Sequence, residues 1–180
     1  MLTRDQVRLS RRLSMILRHR PEAAGITLDP HGWVPVPTLL AALGISRAEL
    51  EAVVAGNDKA RFAIEDDRIR ASQGHSRRVA VDLGLAPADP PEHLFHGTPA
   101  QNLPSITKDG LRSHSRHHVH LSPDTATAVK VGRRRSADVV VLQVRTAEMA
   151  AAGHVFHRSA NGVWLTTAVP PGYLTPVPLP

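Results

Sequence analysis

The chain has 180 residues, of which 42% are hydrophobic and 21% charged, and its formal net charge is +6 at pH 7. This is enough apolar sequence for one large domain or two small ones with packed cores. The positive charge favours polyanionic partners, of which nucleic acid is the commonest. The absence of cysteine excludes disulfides, thiolate nucleophiles and cysteine-based zinc sites.

Arginine supplies almost all of the positive charge, since only Lys59, Lys108 and Lys130 are lysines among the 22 Lys+Arg residues. A guanidinium is a planar fork that can bind a phosphate through two hydrogen bonds, whereas an ammonium is a point charge. The first residues, MLTRDQVRLSRR, contain no apolar signal core, and no segment approaches the roughly 20 apolar residues of a membrane span. We therefore expect a cytoplasmic protein without a membrane partner, and a monomer.

The first predicted element is an amphipathic helix that ends before Pro21. Its apolar face has helical spacing and consists of Leu9, Leu13, Ile16 and Leu17. Arg18 and His19 fall in the last turn, where a cation also complements the helix dipole.

A turn at residues 29–32, an extended piece at 33–36 and a helix opened by Pro37 follow. Ser46 and Glu49 have the spacing of a capping box for a further helix. Two strand-like pieces, 61–64 and 68–71, flank an acidic turn. Helices followed by a hairpin predict a winged-helix-like lobe, a class that often binds nucleic acid.

The proline-rich segment LGLAPADPPEH predicts a domain boundary near residue 90, and hence lobes at 1–90 and 91–180. The second lobe should contain a helix ending near Gly110, a strand at HVHLS, and a helix from Ser122 as N-cap to Gly132. The apolar segments 138–144 and 162–166 predict buried strands, with Trp164 in the core. The predicted fold class is α+β, with a strand-rich second lobe.

Four histidines of this lobe, His93, His96, His118 and His120, raise the question of a metal site. No carboxylate has matching spacing and cysteine is absent, so we predict no metal. The alternative is that His96, Gly97 and Thr98 form a turn in which the backbone closely approaches a flat ligand. No dinucleotide fingerprint, P-loop or nucleophile elbow is present, so a nucleotide would need another type of site.

The remaining candidate chemistry is electropositive. Arg18, His19, Arg70 and one arginine of the run 133–135 lie in separate segments that only folding could bring to one phosphate. An arginine taken alone is more often a solvated surface residue.

Six segments in the same order along the chain resemble the RNA 2′-phosphotransferases of the Tpt1/KptA family. They are LSRRLSMILRHRPEAAGITLDPHGWV, RFAIEDDRIRASQGHS, HLFHGT, GLRSHSRHHVHLS, TATAVKVGRRR and NGVWLTTAVPPGYL. The resemblance implies an N-terminal winged-helix-like lobe for RNA and a C-terminal, β-rich lobe like that of ADP-ribosyltransferases, which binds NAD.

The resemblance also implies a two-step NAD-dependent reaction on RNA that carries an internal 2′-phosphate, as at a tRNA splice junction. The 2′-phosphate attacks the ribose C1″ of NAD and expels nicotinamide, which gives an ADP-ribosylated RNA intermediate. The 2″-hydroxyl then attacks phosphorus and releases ADP-ribose 1″,2″-cyclic phosphate. NAD is thus consumed as a co-substrate.

By resemblance, the catalytic residues are Arg18, His19, Arg70 and Arg134. The first three would hold the 2′-phosphate, His19 could move a proton, and Arg134 would serve the second step, as expected for charge that builds on a phosphoryl group. Three consecutive arginines leave the register of Arg134 open by one position. The NAD-binding residues implied are His96, Gly97, Thr98, His118, His120, Leu121 and Ser122.

Two other functions remain open at this stage. The same residues would serve an ADP-ribosyltransferase that caps terminal phosphates of DNA or RNA and stops after the first step. A non-catalytic nucleic-acid-binding module would also account for the basic first lobe, with salt-dependent binding but no stabilisation by NAD.

Overall fold

The computed structural model describes residues 2–178 and divides the chain into unit 1, Met1–Gly84, and unit 2, Leu85–Pro180. Unit 1 ends somewhat before the predicted boundary near residue 90, and residues 1, 179 and 180 of the predicted lobes lie outside the described range. Both units combine helices with antiparallel strands, which confirms the α+β class. No helix within residues 2–178 is both long and apolar enough to span a bilayer.

Unit 1 begins with the predicted amphipathic helix. Its elements are α1 (Arg4–Arg18), β1 (Val34–Pro35), α2 (Val36–Leu43), α3 (Arg47–Ala55), β2 (Phe62–Glu65) and β3 (Arg68–Ala71). Capping boxes, formed by Thr3 with Gln6 and by Ser46 with Glu49, open α1 and α3. Because the apolar face of α1 is continuous, its residues reach the core of the unit, which includes Leu13, Ile16, Leu17, Leu39, Leu50 and Ile69.

The sheet of unit 1 has the order β1-β3-β2 with antiparallel pairing. Ile69 and Ala71 of β3 face the core, so Arg68 and Arg70 lie on the opposite face. The register pairs Val34 with Ile69, which places the preceding Trp33 beside Arg70 at the end of the ladder.

Unit 2 contains three small sheets. Its strands are β4 (His93–Pro99), β5 (Leu111–Arg112), β6 (Val119–Leu121), β7 (Val139–Arg145), β8 (Phe156–Arg158), β9 (Trp164–Thr166), β10 (Ala168–Val169) and β11 (Leu174–Val177). Its helices are α4 (Leu103–Asp109), α5 (Thr125–Gly132) and α6 (Thr146–Ala151). The sheet orders are β11-β7-β4, β6-β9-β8 and β10-β5. The core includes Trp164, as predicted.

Two local predictions for unit 2 are wrong. His96, Gly97 and Thr98 do not form a turn, because they lie in β4 and pair with Leu142, Val141 and Val140 of β7. Ser122 is not the N-cap of α5: it pairs with Phe95 through both backbone groups, at 2.7 and 2.9 Å. The N-cap is Asp124, whose carboxylate accepts a hydrogen bond from the amide of Thr127.

Gly97 is required by the packing of α5 on β4. A Cβ at this position would lie 1.8 Å from the carbonyl oxygen of Ala128, and one at Gly132 would lie 2.6 Å from Val139 Cγ1 and 3.1 Å from the carbonyl carbon of Gly97. Two glycines therefore allow the helix and the strand to make backbone contact. Close packing of this kind tolerates no added methyl group.

We expect Gly97→Ala to destabilise the protein by at least about 2–3 kcal/mol, because helix α5 must move away from β4. Chemical denaturation measures this free energy of unfolding. Gly172→Ala is the matched control, since among the described residues no heavy atom beyond its chain neighbours lies within 4 Å of the added Cβ. Equal stability of the two variants would contradict this account of the contact.

Candidate functional site

The candidate cations of unit 1 lie near the open end of the β2–β3 hairpin. Arg18 is the last residue of α1, and its Nη2 donates a hydrogen bond to the carbonyl of Arg61 at 3.5 Å. Arg61 precedes β2, and its carbonyl also accepts from the amide of Ser72, directly after β3. Arg70, the third predicted cation of this unit, lies on β3 two residues before Ser72.

His19 caps the C-terminus of α1, where its amide donates to the carbonyl of Met15 at 3.0 Å. It lines a cavity of about 390 Å³ together with Arg78, the acidic Glu22 and apolar residues that include Ile26 and Val81. The lining thus combines basic, acidic and apolar side chains and does not by itself specify the charge of a ligand. Sequence reasoning missed Arg78, which belongs to no periodic element.

Three groups hold the side chain of Arg70, and we call them the Arg70 socket. Its Nη1 donates hydrogen bonds to the carbonyls of His31, at 3.3 Å, and Leu83, at 3.2 Å. The indole ring of Trp33 lies 4.4 Å from the guanidinium carbon. All three groups are neutral, and no carboxylate among residues 2–178 forms an ion pair with Arg70, so its positive charge remains available to an anion.

Other arginines of the chain are paired differently. Arg47 contacts Glu51 at 2.8 Å and Asp67 at 2.6 Å, and Arg145 contacts Glu148 at 3.0 Å. These exposed or half-exposed pairs contribute little to stability, but they neutralise the charge of each arginine locally. Arg70 differs from these surface arginines because carbonyl groups hold its side chain and no carboxylate of residues 2–178 does.

In unit 2 the structure brings together His96, His120 and Ser122. His96 Nδ1 lies 3.0 Å from the carbonyl of His120, and the backbone pairing of Phe95 with Ser122 joins the same two segments. Because a carbonyl only accepts, Nδ1 of His96 carries the hydrogen and Nε2 is an acceptor when the ring is neutral. His118 instead packs its ring edge-on against that of His157, with the centroids 6.0 Å apart.

The side chains of Leu121 and Thr98 have structural roles. Leu121 is 1% exposed in the core of unit 2, and the hydroxyl of Thr98 accepts a hydrogen bond from Asn102. With Gly97 packed against Ala128, these residues could reach a ligand only through the backbone. Their predicted role in NAD binding stays a prediction.

The arginine run follows α5 directly, at the point where Gly132 packs against Gly97. Residues 133–135 are exposed. Burial lowers the pKa of His96, and the charge of Arg135 acts in the same direction. Burial also lowers the pKa of the half-buried Arg116, again with Arg135 as a second cause. Arg116 is a functional candidate that sequence reasoning missed, whereas Arg135 lies within the register that the sequence leaves open for Arg134.

Arg135 acts on both His96 and Arg116, so unit 2 has a positively charged candidate site next to a buried histidine. The described residues 2–178 contain no group of three or more histidine or acidic side chains that could hold a metal ion. Unit 1 separately offers cations for a phosphate. Both units thus offer positively charged sites that suit anionic ligands.

Comparison with known proteins identifies the family. The family model for RNA 2′-phosphotransferases of the Tpt1/KptA family matches residues 4–168. A protein of Streptomyces griseus named a probable RNA 2′-phosphotransferase is 54% identical over 185 residues, covering 95% of this chain and 96% of the relative. Relatives of the same name from Streptomyces coelicolor and Pseudomonas aeruginosa are 55% and 50% identical, covering 93% and 89% of this chain and 93% and 91% of their own. The chain belongs to the Tpt1/KptA family.

The lowered pKa of His96 makes stability depend on pH. A histidine in the unfolded chain has a pKa near 6.5, and the folded His96 takes up its proton only at lower pH. As the pH falls below about 6.5, the unfolded state therefore binds more protons than the folded state. The stability present above about pH 6.5 is therefore lost as the pH falls below it.

We expect His96→Gln, which can still donate to the His120 carbonyl but does not titrate, to lose less stability than the wild type between pH 7.5 and 5.5. Chemical denaturation at the two pH values measures the difference. His93→Gln, on the same strand, should keep the wild-type pH dependence. A His96→Gln variant with an unchanged pH dependence would show that His96 does not cause it.

Proposed function

We propose that the protein is an NAD-dependent RNA 2′-phosphotransferase that removes an internal 2′-phosphate from RNA, as at a tRNA-type splice junction. The observation that carries the proposal is the family match over residues 4–168, which includes residues of both units and all four candidate catalytic cations. NAD supplies the electrophilic ribose carbon that receives the phosphate, and nicotinamide is the leaving group.

The proposed RNA-binding role of unit 1 is supported by its element order. A helix, a short strand, two helices and a hairpin follow one another, as expected of a winged-helix-like lobe. Exposed arginines on α1, including Arg4, Arg11 and Arg12, add positive charge for the RNA backbone. Fold alone does not establish RNA binding, so the proposed RNA-binding role rests on the exposed cations.

In the proposed reaction, Arg18, His19 and Arg70 hold the dianionic 2′-phosphate. Arg70 is suited to this role because its socket leaves its charge uncompensated. Two guanidinium groups can grip the non-bridging oxygens and orient the phosphate as a nucleophile. His19 moves a proton in the second step, and Arg134 stabilises the charge that develops on phosphorus.

The residues of unit 2 fit a dinucleotide. Arg116 is half-buried and Arg135 acts on it, and two positive charges in one neighbourhood would attract an anion such as a pyrophosphate. His96 is held neutral and offers Nε2 as an acceptor for a hydroxyl or amide. His118, His120 and the hydroxyl of Ser122 would complete the NAD site, while Gly97, Thr98 and Leu121 would contribute through their backbone.

We expect Arg18→Ala, Arg70→Ala and Arg134→Ala each to lower the rate of 2′-phosphate removal by at least about 100-fold, as is typical when one charged donor to a reacting group is lost. Steady-state assays with NAD and a 2′-phosphorylated RNA measure the rate. Arg47→Ala, at an exposed arginine that is paired with Glu51 and Asp67, is the control and should stay within about threefold of the wild type. Near-normal rates in all three variants would overturn the proposal.

The arginine run yields a separate prediction. Arg135→Ala should raise KM for NAD about tenfold with a smaller change in kcat, because Arg135 lies in the electrostatic neighbourhood of His96 and Arg116. Arg134→Ala should mainly lower kcat. The opposite pattern would shift the catalytic role by one residue, to Arg135.

A further inference from the structure

Trp33 forms the floor beneath Arg70. Its ring is only 8% exposed, and the guanidinium carbon of Arg70 lies 4.4 Å from the ring centroid. Arg68, which precedes Arg70 by two residues on the same face of β3, lies 5.3 Å from the same ring. The antiparallel register of β1 with β3 determines this arrangement, since it continues from Val34 to place Trp33 opposite Arg70. A buried ring cannot stack on a substrate base, but it can orient a cation.

The hydrogen bonds of Arg70 leave one side of its guanidinium uncommitted. Nη1 donates to two carbonyls, those of His31 and Leu83. Nε and Nη2 have no acceptor among residues 2–178, and they form the edge that can grip a phosphate through two parallel hydrogen bonds. The socket therefore binds Arg70 through one nitrogen and the flat face.

The socket is itself fixed by a turn at residues 29–33. Asp29 Oδ1 accepts hydrogen bonds from the amides of His31, at 2.9 Å, and Trp33, at 2.8 Å. The His31 ring is 2.7 Å from the carbonyl of Asp82, whose amide donates to Pro30 at 2.8 Å. The two carbonyls that hold Arg70 thus belong to two segments that are linked to each other, so Trp33 and both acceptors keep one mutual arrangement.

We propose that Trp33 is a positioning residue for Arg70. Its ring holds the guanidinium of Arg70 in the one orientation that presents Nε and Nη2 to the 2′-phosphate. This proposal rests on the proposed function. An arginine side chain has many rotamers, and ordering it beforehand removes that entropic cost from the reaction. A displacement of about 1 Å in such a group can lower a rate about 100-fold.

The test is a double-mutant cycle in single-turnover assays with 2′-phosphorylated RNA and saturating NAD. Trp33→Leu, which removes the ring, should lower the rate about 10- to 100-fold. A separate titration of NAD should give the same half-saturating concentration as in the wild type. Trp33→Phe keeps an aromatic face and should stay within about fivefold of the wild type. Because Trp33 acts through Arg70, Trp33→Leu combined with Arg70→Ala should be no slower than Arg70→Ala alone.

Val34→Ala controls for simple loss of stability. Val34 is the next residue of the chain and faces the core of unit 1, where it is 1% exposed. This variant should unfold at lower denaturant concentration than the wild type and keep its rate. A Trp33→Leu variant with normal activity, or one whose effect multiplies that of Arg70→Ala, would overturn the positioning role.

A second readout separates this proposal from the proposed function. The Nε–H signal of Arg70 in a ¹⁵N NMR spectrum, assigned by its absence from Arg70→Ala, should show an ordered side chain in the wild type and Val34→Ala but a mobile one in Trp33→Leu. A wild type that removes no 2′-phosphate would overturn the proposed function. An Arg70 signal that stays ordered in Trp33→Leu would overturn the positioning role.

Discussion

The candidate site of unit 1 depends on holding a positive charge in place without neutralising it. A carboxylate would fix Arg70 more tightly than a carbonyl does, but it would also compete with an incoming phosphate. The structure uses two backbone carbonyls and an indole ring instead. Arg18 also donates to a backbone carbonyl, since its Nη2 contacts that of Arg61. The sheet β1-β3-β2 supplies the register that makes the arrangement possible.

In unit 2, close backbone packing determines where the arginine run lies. Gly97 and Gly132 allow α5 to lie against β4, and the arginine run starts where this contact ends. The charge of Arg135 consequently acts on His96, which burial already keeps neutral. A neutral histidine with a fixed Nδ1 hydrogen bond offers a defined acceptor, while nearby arginines supply the positive charge. In the proposed NAD site, His96 would discriminate by hydrogen bonding and the arginines would attract the phosphates.

The sequence predicts what local patterns encode. Helix α1 follows from its apolar spacing and Pro21, helix α3 from the Ser46 and Glu49 box, and the hairpin from its acidic turn. The NAD-binding residues could be named only by resemblance.

The turn at His96–Thr98 was wrongly predicted because its glycine serves contact with a helix that is distant in sequence. Ser122 has the residue type of an N-cap, but its backbone pairs with Phe95, and strand pairing of this kind is not visible in the local sequence. The contact of Trp33 with Arg70 could not be predicted, because it depends on strand register, which composition does not reveal.

In the proposed function, the chain transfers an internal RNA 2′-phosphate to an acceptor derived from NAD. The most direct measurement follows a single radiolabelled 2′-phosphate in a short RNA incubated with the protein, with and without NAD. We predict that the label leaves the RNA only when NAD is present and appears in ADP-ribose 1″,2″-cyclic phosphate. Label that stays on an RNA enlarged by ADP-ribose would contradict the complete transfer and indicate an enzyme that stops after the first step. Label that stays on unchanged RNA would contradict the catalytic account altogether.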